Sequence, residues 1–102
     1  MKQKLFETKK ILFTNNITVD VIQDSDFSEF IFSSLSKHFI NEGEECKSDN
    51  EYNLENICNN KGNVLSSFKY KDKKIYVITD CLGLEYVNQD YPYTTVLYDY
   101  EY

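Results

Sequence analysis

Short apolar runs separated by polar, turn-forming residues mark the first 22 positions of the chain. Residues 9–14 form one such run, which ends at Asn15 and Asn16, and a β-branched stretch over residues 17–22 follows it. β-branched residues favour strands, and consecutive asparagines favour turns. We therefore predict a strand over 9–14 that continues either into a hairpin or into an extended arm.

The next segment carries large apolar residues at helical spacing: Phe27, Phe30, Ile31, Leu35 and Phe39. This spacing places them on one face of a helix, which we predict over about 26–41. Asp26 and Glu29 fit the acidic form of a capping box at its start, and Gly43 lies just beyond its end. The helix is expected to pack through this apolar stripe.

A second capping pattern, from Ser48 to Glu51, precedes another short series of apolar positions: Leu54, Ile57 and Cys58. It predicts a short helix over about 49–60. Asn59, Asn60 and Gly62 supply residues that commonly end a helix.

After Gly62 the apolar period changes from near four to two. Four alternating residues would share one face of a strand: Val64, Ser66, Phe68 and Tyr70. A turn at 71–73 then leads to a β-branched strand over 75–79, and a long loop containing Gly83 and Pro92 leads to a last strand over 93–98.

The order strand, helix, helix, strand, strand, strand predicts an α+β fold. We expect a small single domain over residues 1–102, with an antiparallel sheet of about four strands and two helices packed on one face. If the last strand lies at an edge of the sheet, it could pair with another copy. The sequence leaves open whether the protein is a monomer or a homodimer.

Charge is the compositional feature that bears most on function. The chain has 17 acidic residues, 11 lysines and no arginine, for a formal net charge of -6. Nucleic-acid-binding proteins usually carry a basic surface, so direct binding of nucleic acid is not expected. No basic residue follows Lys74, and the last 28 residues hold seven of the nine tyrosines. Acidic residues together with tyrosine favour a basic protein partner.

From this pattern we select a set of candidate partner-binding residues. The first group lies in and beside the long loop, and the second lies in the loop between the helices: Asp80, Glu85, Tyr86, Asp90, Tyr91 and Tyr93, then Glu42, Glu44 and Glu45. Together, the carboxylates and phenol rings near the carboxyl end could imitate a polyanion. A structural interpretation is also open, since tyrosine has a good β propensity and could simply cover the core.

The residues that usually carry catalysis lack a recognisable arrangement. The three glycines form no phosphate-binding pattern, and the three cysteines have no disulfide or zinc-finger spacing. His38, near the end of the predicted helix, is placed to interact with the helix dipole. We therefore expect a protein that is not an enzyme and has no cofactor and no metal site.

The distribution of apolar residues also bears on location. No apolar run approaches the length of a membrane span, and the lysines near the start lead into no apolar signal region. We expect a soluble, cytoplasmic protein with free thiols and no membrane partner.

Three segments of the second half carry a family resemblance: residues 62–70 (GNVLSSFKY), residues 74–80 (KIYVITD), and residues 94–97 (TTVL) with Glu101-Tyr102. They resemble small proteins of bacterial plasmids and phages, often labelled plasmid-related proteins, with a signature near G-x-L-L-S-x-Y, K-I-W-I-I-T-E and T-T-V-L-x-P-x-E-Y. The resemblance covers about 48–102, with looser matches at 11–14 and 26–41. Tyr76 replaces the tryptophan, Tyr98 and Asp99 stand near the proline, and the loop before Thr94 is longer.

Small acidic proteins of such mobile elements are similar to known inhibitors of host defence, including anti-CRISPR proteins. The resemblance thus implies a non-enzymatic inhibitor whose partner is a CRISPR effector nuclease. An RNA-guided nuclease holds its guide duplex in a positively charged channel, which an acidic protein could occupy. Two alternatives remain open, namely an immunity protein that neutralises a toxin nuclease and a protein-binding module without inhibitory action.

Overall fold

The computed structural model describes residues 3–102, which form a four-stranded mixed sheet and three helices, so the predicted α+β class is confirmed. The elements are β1 (Lys10–Phe13), α1 (Asn15–Gln23), α2 (Ser25–Phe39), α3 (Lys47–Asn59), β2 (Gly62–Tyr70), β3 (Lys73–Leu82) and β4 (Tyr93–Tyr98), with a short 3-10 turn over Asp99–Glu101. The strand order is β1-β4-β3-β2, and β1 runs parallel to β4 while the other pairs are antiparallel. The prediction of a purely antiparallel sheet was therefore wrong.

The β-branched stretch over 17–22 is helical, which corrects the predicted hairpin or extended arm. Asn15 and Asn16 begin α1, and the Thr14 hydroxyl accepts a hydrogen bond from the Ile17 N–H at 3.4 Å. Ile17 is fully buried, and Val21, one turn later, packs against the core. Burial at a spacing of four outweighs the weak strand preference of these residues.

Helix α2 follows the predicted apolar stripe but is capped differently. Asp24, rather than Asp26, is the N-cap, and its carboxylate accepts from the N–H groups of Asp26 and Phe27 at 3.0 and 3.2 Å. The helix ends at Phe39, and Asn41 takes a left-handed conformation before Gly43 is reached. Because a carboxylate before the first turn satisfies two otherwise unpaired donors, the helix starts one residue earlier than predicted.

Helix α3 exists as predicted, but it lies along the edge strand β2 and buries polar residues. Its N-cap is Cys46 without a side-chain hydrogen bond, so the Ser48 pattern does not cap it. The helix ends at Asn59, and Asn60, one of the residues predicted to end it, adopts the left-handed conformation. The buried residues of the helix are Asn53 and Asn56. Two helices do pack on one face of the sheet, but they are α1 and α2.

The two faces of the sheet differ in what covers them. Side chains that alternate along β2, β3 and β4 point toward α1 and α2 and join one core with Phe27, Ile31, Leu35 and Phe39. Within residues 3–102, α1 and α2 leave the opposite side uncovered, and we call it the open sheet face; it consists of Leu65, Ser67, Tyr76, Ile78, Asp80, Tyr93, Thr95 and Leu97. The last strand, β4, lies between β1 and β3 and has no edge left for pairing with another copy.

Candidate protein-binding site

Asp80 and Tyr93 lie side by side at one end of the open sheet face. They are paired residues of the antiparallel strands β3 and β4, and the ring of Tyr91 lies 5.7 Å from that of Tyr93. The Asp80 carboxylate, together with partial burial, raises the pKa of Tyr93 because a nearby negative charge disfavours a phenolate. The fold thus brings together three of the residues that the sequence selected.

A shallow groove of about 320 Å³ extends along the open sheet face from this end toward Leu97. It is lined by Asn63, Ile78, Asp80, Tyr93, Thr95, Leu97, Glu101 and Tyr102. We call it the open-face groove. Among residues 3–102, two carboxylates and two phenol rings line it and no lysine does, so its electrostatic character is anionic.

The lining includes two residues that the sequence analysis did not select, Glu101 and Tyr102. Glu101 is anchored, since its Oε1 accepts from the Tyr98 N–H at 2.8 Å and the Thr14 hydroxyl at 2.9 Å. Tyr102 packs edge-to-face on Tyr76, with ring centroids 5.5 Å apart, and stays 67% exposed. The sequence signals for these two residues were the acidic, tyrosine-rich character of the last 28 residues and the Glu-Tyr pair in the family resemblance.

The loop residues of the predicted site are placed elsewhere. Tyr86 is exposed at the tip of the loop, and Asp90 is exposed with its N–H donating to the Asn88 side chain at 2.9 Å. Glu85 lines a different cavity of about 290 Å³, together with the segment 5–9 and Pro92. The carboxylates and phenol rings of the last 28 residues therefore do not form one continuous polyanionic surface.

The second predicted group lies beside the edge strand β2, where two of its members form hydrogen bonds with the backbone of that strand. Glu45 Oε1 accepts from the Ser67 N–H at 3.0 Å, and Glu44 Oε1 accepts from the Lys69 N–H at 3.0 Å. The Glu44 N–H in turn donates to the Ser67 carbonyl at 2.8 Å. Glu42 is exposed in the same connection between α2 and α3. Glu44 and Glu45 therefore stabilise the edge of β2.

His38 is a core residue, not a cation at a helix end as the sequence suggested. Its Nδ1 lies 2.7 Å from the Ser66 hydroxyl, and its Nε2 lies 2.8 Å from the Thr79 hydroxyl. Burial lowers the pKa of His38 to about 3, which keeps the imidazole neutral at physiological pH. His38 and Ser66 are both fully buried, so this pair offers no surface to a substrate.

The other described charged side chains and the cysteines do not form a single cluster. A cavity of about 630 Å³ lies beside the β2–β3 hairpin and is lined by charges of both signs, including Glu44, Asp49, Asp72 and Lys74. Cys46 and Cys58 are exposed, Cys81 is half-buried, and all three are free thiols. Across residues 3–102, no three His, Cys, Asp or Glu side chains cluster as metal ligands would.

Comparison with known proteins gives no match to a family model, to a curated protein or to a solved structure. Within the part of the chain that the structure describes, none of the helices has the length and apolar character needed to cross a membrane.

Proposed function

We propose that this protein is a non-enzymatic acidic inhibitor that binds a basic surface of a nucleic-acid-binding enzyme through its open-face groove. The partner that the family resemblance implies is an RNA-guided nuclease of a CRISPR system. On this proposal the protein acts by occupying a positively charged surface that the nuclease needs for nucleic acid.

The uncovered face of the sheet supports a role in binding. Helices α1 and α2 cover one face, whereas the other leaves Tyr76, Ile78 and Tyr93 half-buried at the surface. Tyrosine gives a large contact area with few rotatable bonds and a polar end, and it is enriched at protein interfaces. A partner that packs on this face would bury these rings.

The observation that carries the proposal is the charge of the groove. Within the described residues, Asp80 and Glu101 line it without a lysine, and the chain contains no basic residue after Lys74. A partner surface of opposite sign is attracted over several ångströms, which speeds association and disfavours neutral or acidic partners. The nucleic-acid channel of an RNA-guided nuclease has this sign.

The dispersion of the other carboxylates favours a compact contact over an extended imitation of a polyanion. A small contact blocks nucleic acid if it covers the few arginines or lysines that recognise a short duplex motif. Affinity would then depend on a small number of well-packed residues around Asp80 and weaken as the salt concentration rises.

The test is inhibition of target cleavage by purified, guide-loaded nucleases in the presence of increasing amounts of this protein. We expect one effector to lose target binding, and Asp80→Lys to remove the inhibition. Glu55→Lys, an equal charge reversal at an exposed position of α3, is the matched control and should inhibit normally. Undiminished cleavage by every candidate effector at saturating protein would overturn the proposal, and inhibition of a toxin nuclease instead would favour the immunity-protein alternative.

A further inference from the structure

We propose that the open-face groove is a receptor for a single arginine side chain of the partner, with the guanidinium paired to the Asp80 carboxylate and stacked against the rings of Tyr93 and Tyr102. This inference rests on the proposed function for the identity of the partner. The preference for arginine depends only on residues of this chain.

The half-buried carboxylates differ in the hydrogen bonds that they accept. Within residues 3–102 four carboxylates are half-buried, namely those of Asp20, Glu45, Asp80 and Glu101. Asp20 accepts from Tyr98 and Lys73, Glu45 from Ser67 and Asn53, and Glu101 from Thr14, Asn16 and the Tyr98 backbone.

Asp80 differs from these three because no group within residues 3–102 donates a hydrogen bond to it or forms an ion pair with it. Partial burial removes some of its water, and no protein donor replaces that water. Both carboxylate oxygens therefore remain available, which is the arrangement that a guanidinium meets with two parallel hydrogen bonds.

Two tyrosine rings, those of Tyr93 and Tyr102, line the groove together with Asp80. Tyr93 lies directly across the strand pair, and Tyr102 lines the same groove with most of its surface exposed. A neighbouring ring on this face already holds a cation, since the Lys74 ammonium lies 5.5 Å from the centroid of Tyr76. Cations are attracted to the faces of such rings, so the rings of Tyr93 and Tyr102 can flank a second cation.

Arginine fits these features better than lysine. Its planar guanidinium binds a carboxylate with two hydrogen bonds, stacks on aromatic rings and is less strongly hydrated than an ammonium. Ile78 and Leu97 also line the groove and offer an apolar surface to the methylene stem. Glu101 adds a second negative charge to the groove, and its own oxygens accept hydrogen bonds from Thr14 and Asn16.

The test uses the purified protein and two peptides of equal length and charge, hexa-arginine and hexa-lysine. In an amide NMR titration we expect hexa-arginine to shift Asp80, Tyr93 and Thr95, and to bind several-fold more tightly than hexa-lysine. Asp80→Asn should weaken hexa-arginine binding by about tenfold, as expected for the loss of a charge-assisted pair. Glu55→Gln, which removes an exposed acid on α3, is the control and should change it little.

A second variant tests the same inference in case Asp80→Asn does not fold. Tyr102→Ala removes a 67% exposed ring and should reduce the preference for arginine over lysine while the amide spectrum of the core is unchanged. Equal affinity for the two peptides, or equal losses in Asp80→Asn and Glu55→Gln, would overturn the inference. Arginine binding without nuclease inhibition would instead count against the proposed function alone, and inhibition that survives Asp80→Asn would count against the arginine receptor alone.

Discussion

The side chain of Asn53 pairs with the backbone of Leu65 as a neighbouring strand would. Its Oδ1 accepts from the Leu65 N–H at 3.1 Å, and its Nδ2 donates to the Leu65 carbonyl at 2.8 Å. Asn56 donates to the Asn63 carbonyl at 2.8 Å, two residues earlier along β2. Together with Glu44 and Glu45, these side chains occupy the hydrogen-bonding groups at the free edge of β2, which would otherwise be open to another strand.

Asn53→Ala should destabilise the protein by about 1 to 3 kcal/mol, because it leaves a buried N–H and a carbonyl of Leu65 without partners. It should also increase self-association, since the edge of β2 becomes free to pair. Urea unfolding and size-exclusion chromatography measure the two effects. Asn59→Ala, at an exposed position of α3, is the matched control. Equal unfolding midpoints for the two variants would contradict this account of the edge.

Counting protons along the buried hydroxyls predicts the tautomer of His38. Thr8 donates its proton to the Lys10 carbonyl at 2.9 Å and so accepts from Thr94 at 2.8 Å. Thr94 has then used its only proton, so Thr79 must donate to Thr94 at 2.7 Å and accept from His38 Nε2 at 2.8 Å. Neutral His38 therefore carries its proton on Nε2, and its Nδ1 accepts from Ser66.

Ring nitrogen chemical shifts of ¹⁵N-labelled histidine measure this directly, since His38 is the only histidine in the chain. We expect a protonated-type shift for Nε2 and an unprotonated-type shift for Nδ1 that persist from pH 8 to pH 5. In Thr79→Val the acceptor for Nε2 is lost, and we expect the tautomer preference to weaken. A proton on Nδ1 in the wild-type protein would show that the chain of hydroxyls runs in the other direction.

The buried imidazole should make stability depend on pH. The pKa of His38 is lowered from 6.5 to about 3 on folding, so between these values the unfolded chain binds a proton that the folded protein does not. The free energy of unfolding therefore falls as the pH drops from about 6.5 toward 3, by about 1.4 kcal/mol per pH unit from this group. Urea unfolding at pH 7, 5.5 and 4.5 measures the slope. His38→Gln should be less stable at pH 7 but show a flatter dependence.

Tyr98 and Asp20 link β4 to α1 through a hydrogen bond from the phenol to the carboxylate, and Lys73 lies 3.5 Å from the same oxygen. The Tyr98 hydrogen bond, followed by the charge of Lys73, lowers the pKa of Asp20 against the opposing effect of burial. Tyr98→Phe should cost about 1 to 2 kcal/mol at pH 7, as expected for a hydrogen bond to a charged acceptor.

This cost should shrink as the pH falls through the pKa of Asp20, because the protonated carboxyl is a weaker acceptor. Thermal unfolding of wild type and Tyr98→Phe at pH 7 and near pH 2.5 measures the difference. Tyr100→Phe, an exposed residue on the adjacent 3-10 turn, is the control. A penalty of the same size at both pH values would show that the charge of Asp20 does not contribute.

For partner binding, the structure ranks the acidic residues that the sequence analysis treated together. If the proposed function is correct, Asp80→Lys should weaken binding to the partner enzyme by at least tenfold, because it places a cation in the open-face groove. The double reversal Glu85→Lys with Asp90→Lys should have a smaller effect, since Glu85 lines another cavity and Asp90 is exposed on the loop. Affinities measured at two salt concentrations test the order, and a larger loss in the double variant would move the contact to the loop.

Local periodicity was sufficient for the elements whose burial is regular. The spacing of Phe27, Ile31 and Leu35 predicted α2, and the alternation after Gly62 predicted β2, because one face of each element is buried and the other is not. The β-branched residues over 75–79 predicted the middle of β3. The predicted strands left Asp80 directly after one strand and placed Tyr93 at the start of the next, without indicating that the two residues are paired. The register between strands comes from the turns and the loop, which sequence spacing does not specify.

The helical conformation of residues 17–22 and the position of α3 had no such local signal. Ile17 and Val21 are β-branched and were expected in a strand, but the core that they enter is formed by residues distant in the chain. On α3 the buried residues are Asn53 and Asn56, whose partners are backbone groups of β2. An asparagine that caps a strand edge looks, in sequence, the same as one in a turn.

The sequence by itself determined the fold class, the main helix, the antiparallel strands and the acidic, tyrosine-rich character of the last 28 residues, because these follow from local spacing and composition. Only the tertiary structure decided which carboxylates are already hydrogen-bonded. It assigned Glu44, Glu45 and Glu101 to backbone donors and left Asp80 at the surface among phenol rings. The physical reason is that a carboxylate's partners are set by groups folded against it, often many residues away.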